Sequence, residues 1–75
     1  MNTSKLDRLV KMINQISLNM ASNGSEGEVA ILVASHLEKF WSPPMITTLC
    51  AEADELMLAP ISAKAVAHLR APQTR

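Results

Sequence analysis

The sequence predicts an all-α protein, a small bundle of three main helices followed by a short C-terminal fourth helix. Three observations carry that reading. Only two of the 75 residues are glycine, while the helix formers Ala, Leu, Met, Glu and Lys are plentiful. Apolar residues recur at three- and four-residue spacing and do not alternate. A serine, a proline or both stand at the head of each apolar stripe, as helix starts require. The whole chain, 1–75, reads as one helical domain, with helices at about 4–22, 26–41, 43–57 and 60–69 and a frayed tail over 70–75.

Ser4 followed by Asp7 opens the first helix, the acid favouring the free amides of its first turn. Leu6, Leu9, Val10, Ile13, Ile16 and Met20 then form one stripe, with Met12 beside it. "NGS" at 23–25 stops this helix, and Asn23 or Gly24 suits a left-handed residue at its end. Ser25 and Glu28 make a capping box for the second helix. Its stripe of Val29, Leu32, Val33, His36, Leu37 and Phe40 is widened by Ala30, Ile31 and Ala34. A helix apolar around most of its circumference belongs in the middle of a bundle.

Pro43 disfavours helical geometry at Ser42, so the second helix ends near Trp41. Ser42 can cap a third helix whose first turn holds Pro43 and Pro44, where missing amides cost nothing. That helix is expected to run to about Met57 and to turn Met45, Ile46, Leu49, Cys50, Ala53, Leu56 and Met57 inward. Pro60 breaks it and starts the fourth, in which Ile61, Ala65, Val66 and Leu69 share a face.

Composition excludes several classes. Seven basic and seven acidic residues leave a formal net charge of zero, so no basic face for nucleic acid is visible. The apolar runs are far too short to span a membrane, and "MNTSKLDRL" lacks the apolar core of a secretory signal. One Cys and five Met fit a reducing, cytoplasmic setting. The lone Cys50 and two distant histidines make no zinc pattern. No nucleophile stands beside a base, and there is no glycine-rich phosphate loop, which points away from an enzyme in its own right. An acyl carrier is ruled out because Asp-Ser-Leu and an acidic balance are missing. A domain this small buries only about 60–65% of the surface its unfolded chain exposes, and 48% hydrophobic residues suit a chain that associates.

The candidate contact residues follow. Phe40 and Trp41 are the only Phe and Trp, and both sit at the second helix-to-helix junction. Trp41 reads equally as a core plug, its indole N–H seeking an acceptor at the helix end, or as an interface anchor. We expect Phe40 to plug the bundle and the edge of Trp41, Pro43 and Met45 to face a partner. His36 lies one turn before Phe40, as a half-buried side chain or a partner contact. Asn14 and Gln15 flank the first stripe, either solvated or bonded to a partner's backbone. Cys50, on an apolar face, is expected to be a small core residue.

"LVKMINQI" at 9–16, "HLEKFWSPPM" at 36–45 and "LAPISAKAVAHL" at 58–69 together resemble the delta subunit of NAD-dependent formate dehydrogenase. That family typically carries Met-x-Asn-Gln-Ile, matched by Met12, Asn14, Gln15 and Ile16. Its His-[Leu/Ile]-x-Lys-Phe-Trp-x-Pro-x-Met segment is matched by His36, Leu37, Lys39, Phe40, Trp41, Pro43 and Met45, and its Leu-x-Pro by Leu58 and Pro60. The resemblance covers most of the chain, and the middle segment is the specific part. It implies a non-catalytic accessory subunit that packs on a large molybdopterin-type catalytic subunit and supports its assembly or stability. The molybdenum or tungsten, iron–sulfur and flavin groups of such complexes belong to other subunits, so no cofactor is expected here. Family members often carry an acid after the Trp and a base between Pro and Met, where this chain has Ser42 and Pro44. They are also more aromatic near the end of the first helix, where this chain has Leu18, Asn19 and Met20. The alternative is a free-standing helical module that pairs with a second copy of itself.

Overall fold

The computed structural model describes residues 4–71, and of Glu55 the backbone alone. Among these residues there are four α-helices and no strand: α1 (Lys5–Met20), α2 (Glu26–Phe40), α3 (Pro43–Glu52) and α4 (Pro60–Arg70). Single 3₁₀ turns at Ala21–Asn23 and Glu55–Met57 lie in the α1–α2 and α3–α4 connections. The small all-α bundle is as the composition and periodicity predict.

The first two helix starts are made by the expected chemistry. The Ser4 hydroxyl accepts from the Asp7 N–H at 3.0 Å. Ser25 and Glu28 exchange two bonds, Glu28 N–H to the serine Oγ at 3.2 Å and Ser25 N–H to the glutamate Oε1 at 2.8 Å. This box holds the Glu28 carboxyl below its ordinary range, because the ionised form is the better acceptor. No left-handed residue ends α1; the 3₁₀ turn tightens its end, and Gly24 is extended (φ 160°, ψ −164°). A Cβ at Gly24 would lie 2.7 Å from the Glu28 Oε1 engaged in the box, so the glycine makes room for the cap and does not supply an unusual φ.

The core is contiguous. From α1 it takes Leu9, Val10 and Ile13; from α2, Val29, Ala30, Val33, Ala34 and Leu37. Leu49 and Ala53 close it from α3 and its end, Ala65 and Val66 from α4. Each helix meets the other three, and the nearest approach is between α2 and α4. Buried alanines on both (Ala30, Ala34 and Ala65) let those backbones approach, since interhelical distance follows side-chain size. Two serines are also fully inside. Ser62 donates to the Ile13 carbonyl at 3.3 Å, which leaves Ser17 to donate to Ser62 at 2.8 Å and ties α1 to α4. Both hydroxyls are therefore satisfied, as burial requires.

Two helix ends depart from expectation. α3 stops at Glu52, not near Met57, because Ala53 turns extended (ψ 135°). Leu56 and Met57 accordingly leave the inward face; Leu56 is 94% exposed. The expected tail begins too early: Arg70 is the last residue of α4, and its guanidinium donates to the Cys50 carbonyl at 2.7 Å and the Ala53 carbonyl at 2.8 Å. It supplies donors to the carbonyl end of α3, which has no basic residue of its own in its last turn. The rest of the tail, 72–75, lies outside the described residues.

Candidate docking surface

The α2–α3 corner is built by proline. Helix α2 ends at Phe40, and Trp41 is extended (φ −93°, ψ 147°) with its N–H still bonded to the Leu37 carbonyl at 2.8 Å. Ser42 does not cap α3 through its side chain. Pro43 and Pro44 have no amide to offer it, and the first free amides, of Met45 and Ile46, go to the Ser42 carbonyl at 3.0 and 3.2 Å.

This corner reverses the expected roles of the two aromatics. Trp41 is the plug, 8% exposed, and Phe40 points out, 72% exposed. The reason lies in the register of α2. Its buried positions are 29, 30, 33, 34 and 37, and the next inward position on that stripe is 41, not 40. Ala30 and Ala34 carried that signal in the sequence, because they mark where α4 approaches. The expected stripe holds both sets, Val29, Val33 and Leu37 together with Leu32, His36 and Phe40, and only the first set faces inward.

Leu32, His36 and Phe40 form a ridge at i, i+4, i+8 on α2, exposed at its two ends. Leu32 is 43% exposed, and His36 is half-buried with its ring 4.8 Å from the Phe40 ring, tilted by 45°. The ridge runs into the corner, where Pro43 is exposed and Met45 half-buried. A shallow groove on the corner is lined by Glu38, Trp41, Pro43, Ile46, Thr47 and Leu69. His36, Pro43 and Met45 thus lie near the corner, with Phe40 added and the Trp41 ring withdrawn beneath.

Asn14 and Gln15 lie apart from it. Asn14 is half-buried, and its amide makes two bonds within the chain. Its Nδ2 donates to the Met57 carbonyl at 3.0 Å, and its Oδ1 accepts from the Ala59 N–H at 2.9 Å. Gln15 is exposed, bonded to Asn19 at 3.4 Å, and lines a depression on α1 with Arg8, Lys11 and Met12. Neither the Asn14 clamp nor the Arg70 staple was legible at sequence level, since each bond joins residues 17 to 45 positions apart.

Among the described residues no three His, Cys, Asp or Glu are grouped as metal ligands would be. Cys50 is half-buried, and burial pushes its thiol above its ordinary value despite the nearby Arg70. No helix among the described residues is long and apolar enough to cross a membrane.

No curated protein and no solved structure matches the chain. Residues 8–66 match a family described as "NADH-dependant formate dehydrogenase delta subunit FdsD", a stretch that includes α2, the proline corner, α3 and most of α1 and α4. The chain belongs to the delta-subunit family of NADH-dependent formate dehydrogenase.

Proposed function

We propose that this delta subunit is a non-catalytic accessory chain. It docks on the large molybdopterin-type catalytic subunit through the α2–α3 corner, and supports assembly or stability of the cytoplasmic complex without holding a cofactor itself. The observation that carries the proposal is the Leu32–His36–Phe40 ridge continuing into Pro43, an apolar edge on a chain of zero net charge. Large aromatics at the centre of such edges are the common anchors of protein interfaces. Of the contacts named from sequence, His36, Pro43 and Met45 touch the partner beside Phe40. Trp41 and Asn14 act from within, by holding the corner and the α3–α4 connector, and Gln15 is a separate contact on α1.

A tagged pull-down from the native organism tests this, with co-purifying proteins identified by mass spectrometry and formate-dependent NAD reduction assayed in the eluate. We expect the large subunit and activity with the unaltered chain, and loss of both with Phe40→Asp, whose side chain is too exposed to hold the fold. Recovery of the unaltered chain alone, or only with copies of itself, would overturn the proposal in favour of a self-associating module.

A further inference from the structure

We propose that Leu56, on the α3–α4 connector, is a second docking anchor: an apolar knob with an acidic rim that enters an apolar socket edged by Lys or Arg on another subunit of the formate dehydrogenase complex. The inference rests on the accessory-subunit reading above and adds a separate contact, at the other end of α3 from the corner.

A single exposed leucine on a loose loop needs no account. Leu56 is different because its turn is tied on both sides. The Asp54 carboxylate accepts from the Leu56 N–H at 3.0 Å, and the Asp54 carbonyl accepts from the Met57 N–H at 2.9 Å. Asn14 then holds the Met57 carbonyl and the Ala59 N–H from α1. The side chain on this fixed base is 94% exposed, with Met57 beside it at 43%. A rigid apolar projection binds well because little freedom is left to lose on docking.

The surrounding charge identifies the occupant. Glu52 and Asp54, both exposed, stand at the carbonyl end of α3, where the helix dipole disfavours acids. Arg70 reaches the same end but bonds the backbone carbonyls of Cys50 and Ala53. Asp54 is held in place by its bond to the Leu56 N–H, Glu52 is exposed nearby, and cations on a partner would complement these two charges. A second copy is the wrong occupant, because a two-fold contact here would set these acids against their own copies.

The test titrates the full-length chain against formate dehydrogenase complex purified from cells lacking the delta chain. Wild type is compared with Leu56→Asp and Glu52→Lys at low and high salt, and the mass and urea midpoint of each chain are measured alone. We expect Leu56→Asp to weaken binding about tenfold or more at an unchanged midpoint. Glu52→Lys should slow association and flatten its salt dependence. If Leu56→Asp unfolds, Leu56→Gln carries the same test. Wild-type binding with both variants within about twofold of it would overturn this inference and leave the accessory reading standing. No wild-type binding would overturn that reading and this inference with it. A wild-type dimer that Leu56→Asp turns into monomer would assign the knob to a second copy, also overturning it.

Discussion

The two ends of α3 are built by opposite means. At its start the chain turns through Trp41 and Ser42 into two prolines, and every bond that shapes the corner joins residues no more than four apart. At its end the chain also turns sharply, but with long-range help. Arg70 reaches back from α4 to the last carbonyls, and Asn14 reaches from α1 to pin the connector. The first end is a property of local covalent geometry, and the second exists only once three helices have docked.

The largest test of that difference is Trp41→Ala. It removes the one large aromatic of the core at the locally built end, and urea unfolding should show a loss of about 3–5 kcal/mol. A loss under about 1 kcal/mol would mean the ring contributes little to the core.

Asn14→Ala comes next, at about 2 kcal/mol, because a carbonyl and an amide of the connector lose their partner together. Amide exchange sharpens the comparison: residues 56–59 should exchange faster in this variant while the amides of Met45 and Ile46 stay protected. Uniform acceleration at both ends would erase the distinction drawn here.

Arg70→Ala should cost about 1 kcal/mol, since its two charge-assisted bonds are partly exposed to water. It should also lower the reactivity of Cys50 toward a thiol reagent at alkaline pH, because the positive charge that holds this burial-raised thiol down is lost. If reactivity instead rises, Arg70 covers the thiol more than its charge activates it.

The smallest effect belongs to Glu28, at another locally built helix end. Its carboxyl is held below the ordinary value of 4.5, so the ionised form stabilises the fold. That contribution is complete above the ordinary value and is lost as pH falls through the lowered one. Glu28→Gln keeps an acceptor for the Ser25 N–H and should flatten this acid limb in a urea-midpoint profile. An unaltered profile would remove Glu28 from the account of acid sensitivity.

Much of this architecture is legible in the residues because its causes are short-range. Ser4 with Asp7, Ser25 with Glu28 and Pro60 each announce a helix start within one turn. The family motif at 36–45 is likewise contiguous. What could not be read was which side of an apolar helix faces inward. Phe40 is more hydrophobic than Ala30 or Ala34, yet the small residues define the inward side because they let α4 come close. Leu56 fits the period of a longer α3, and only the break at Ala53 turns it outward. The polar ties of Asn14, Arg70 and Ser17 with Ser62 use residue types that are unremarkable on any helix surface until a partner 17 to 45 positions away arrives.

By itself, then, the amino-acid sequence determined the all-α class, the helix starts, the proline corner and the family, all of which depend on contiguous residues. Tertiary structure alone decided that Trp41 is inside and Phe40 outside, that α3 ends at Glu52, and that Leu56 stands on a fixed turn. These are outcomes of packing, in which a side chain's place is set by how the neighbouring elements fit together and not by its own hydrophobicity alone.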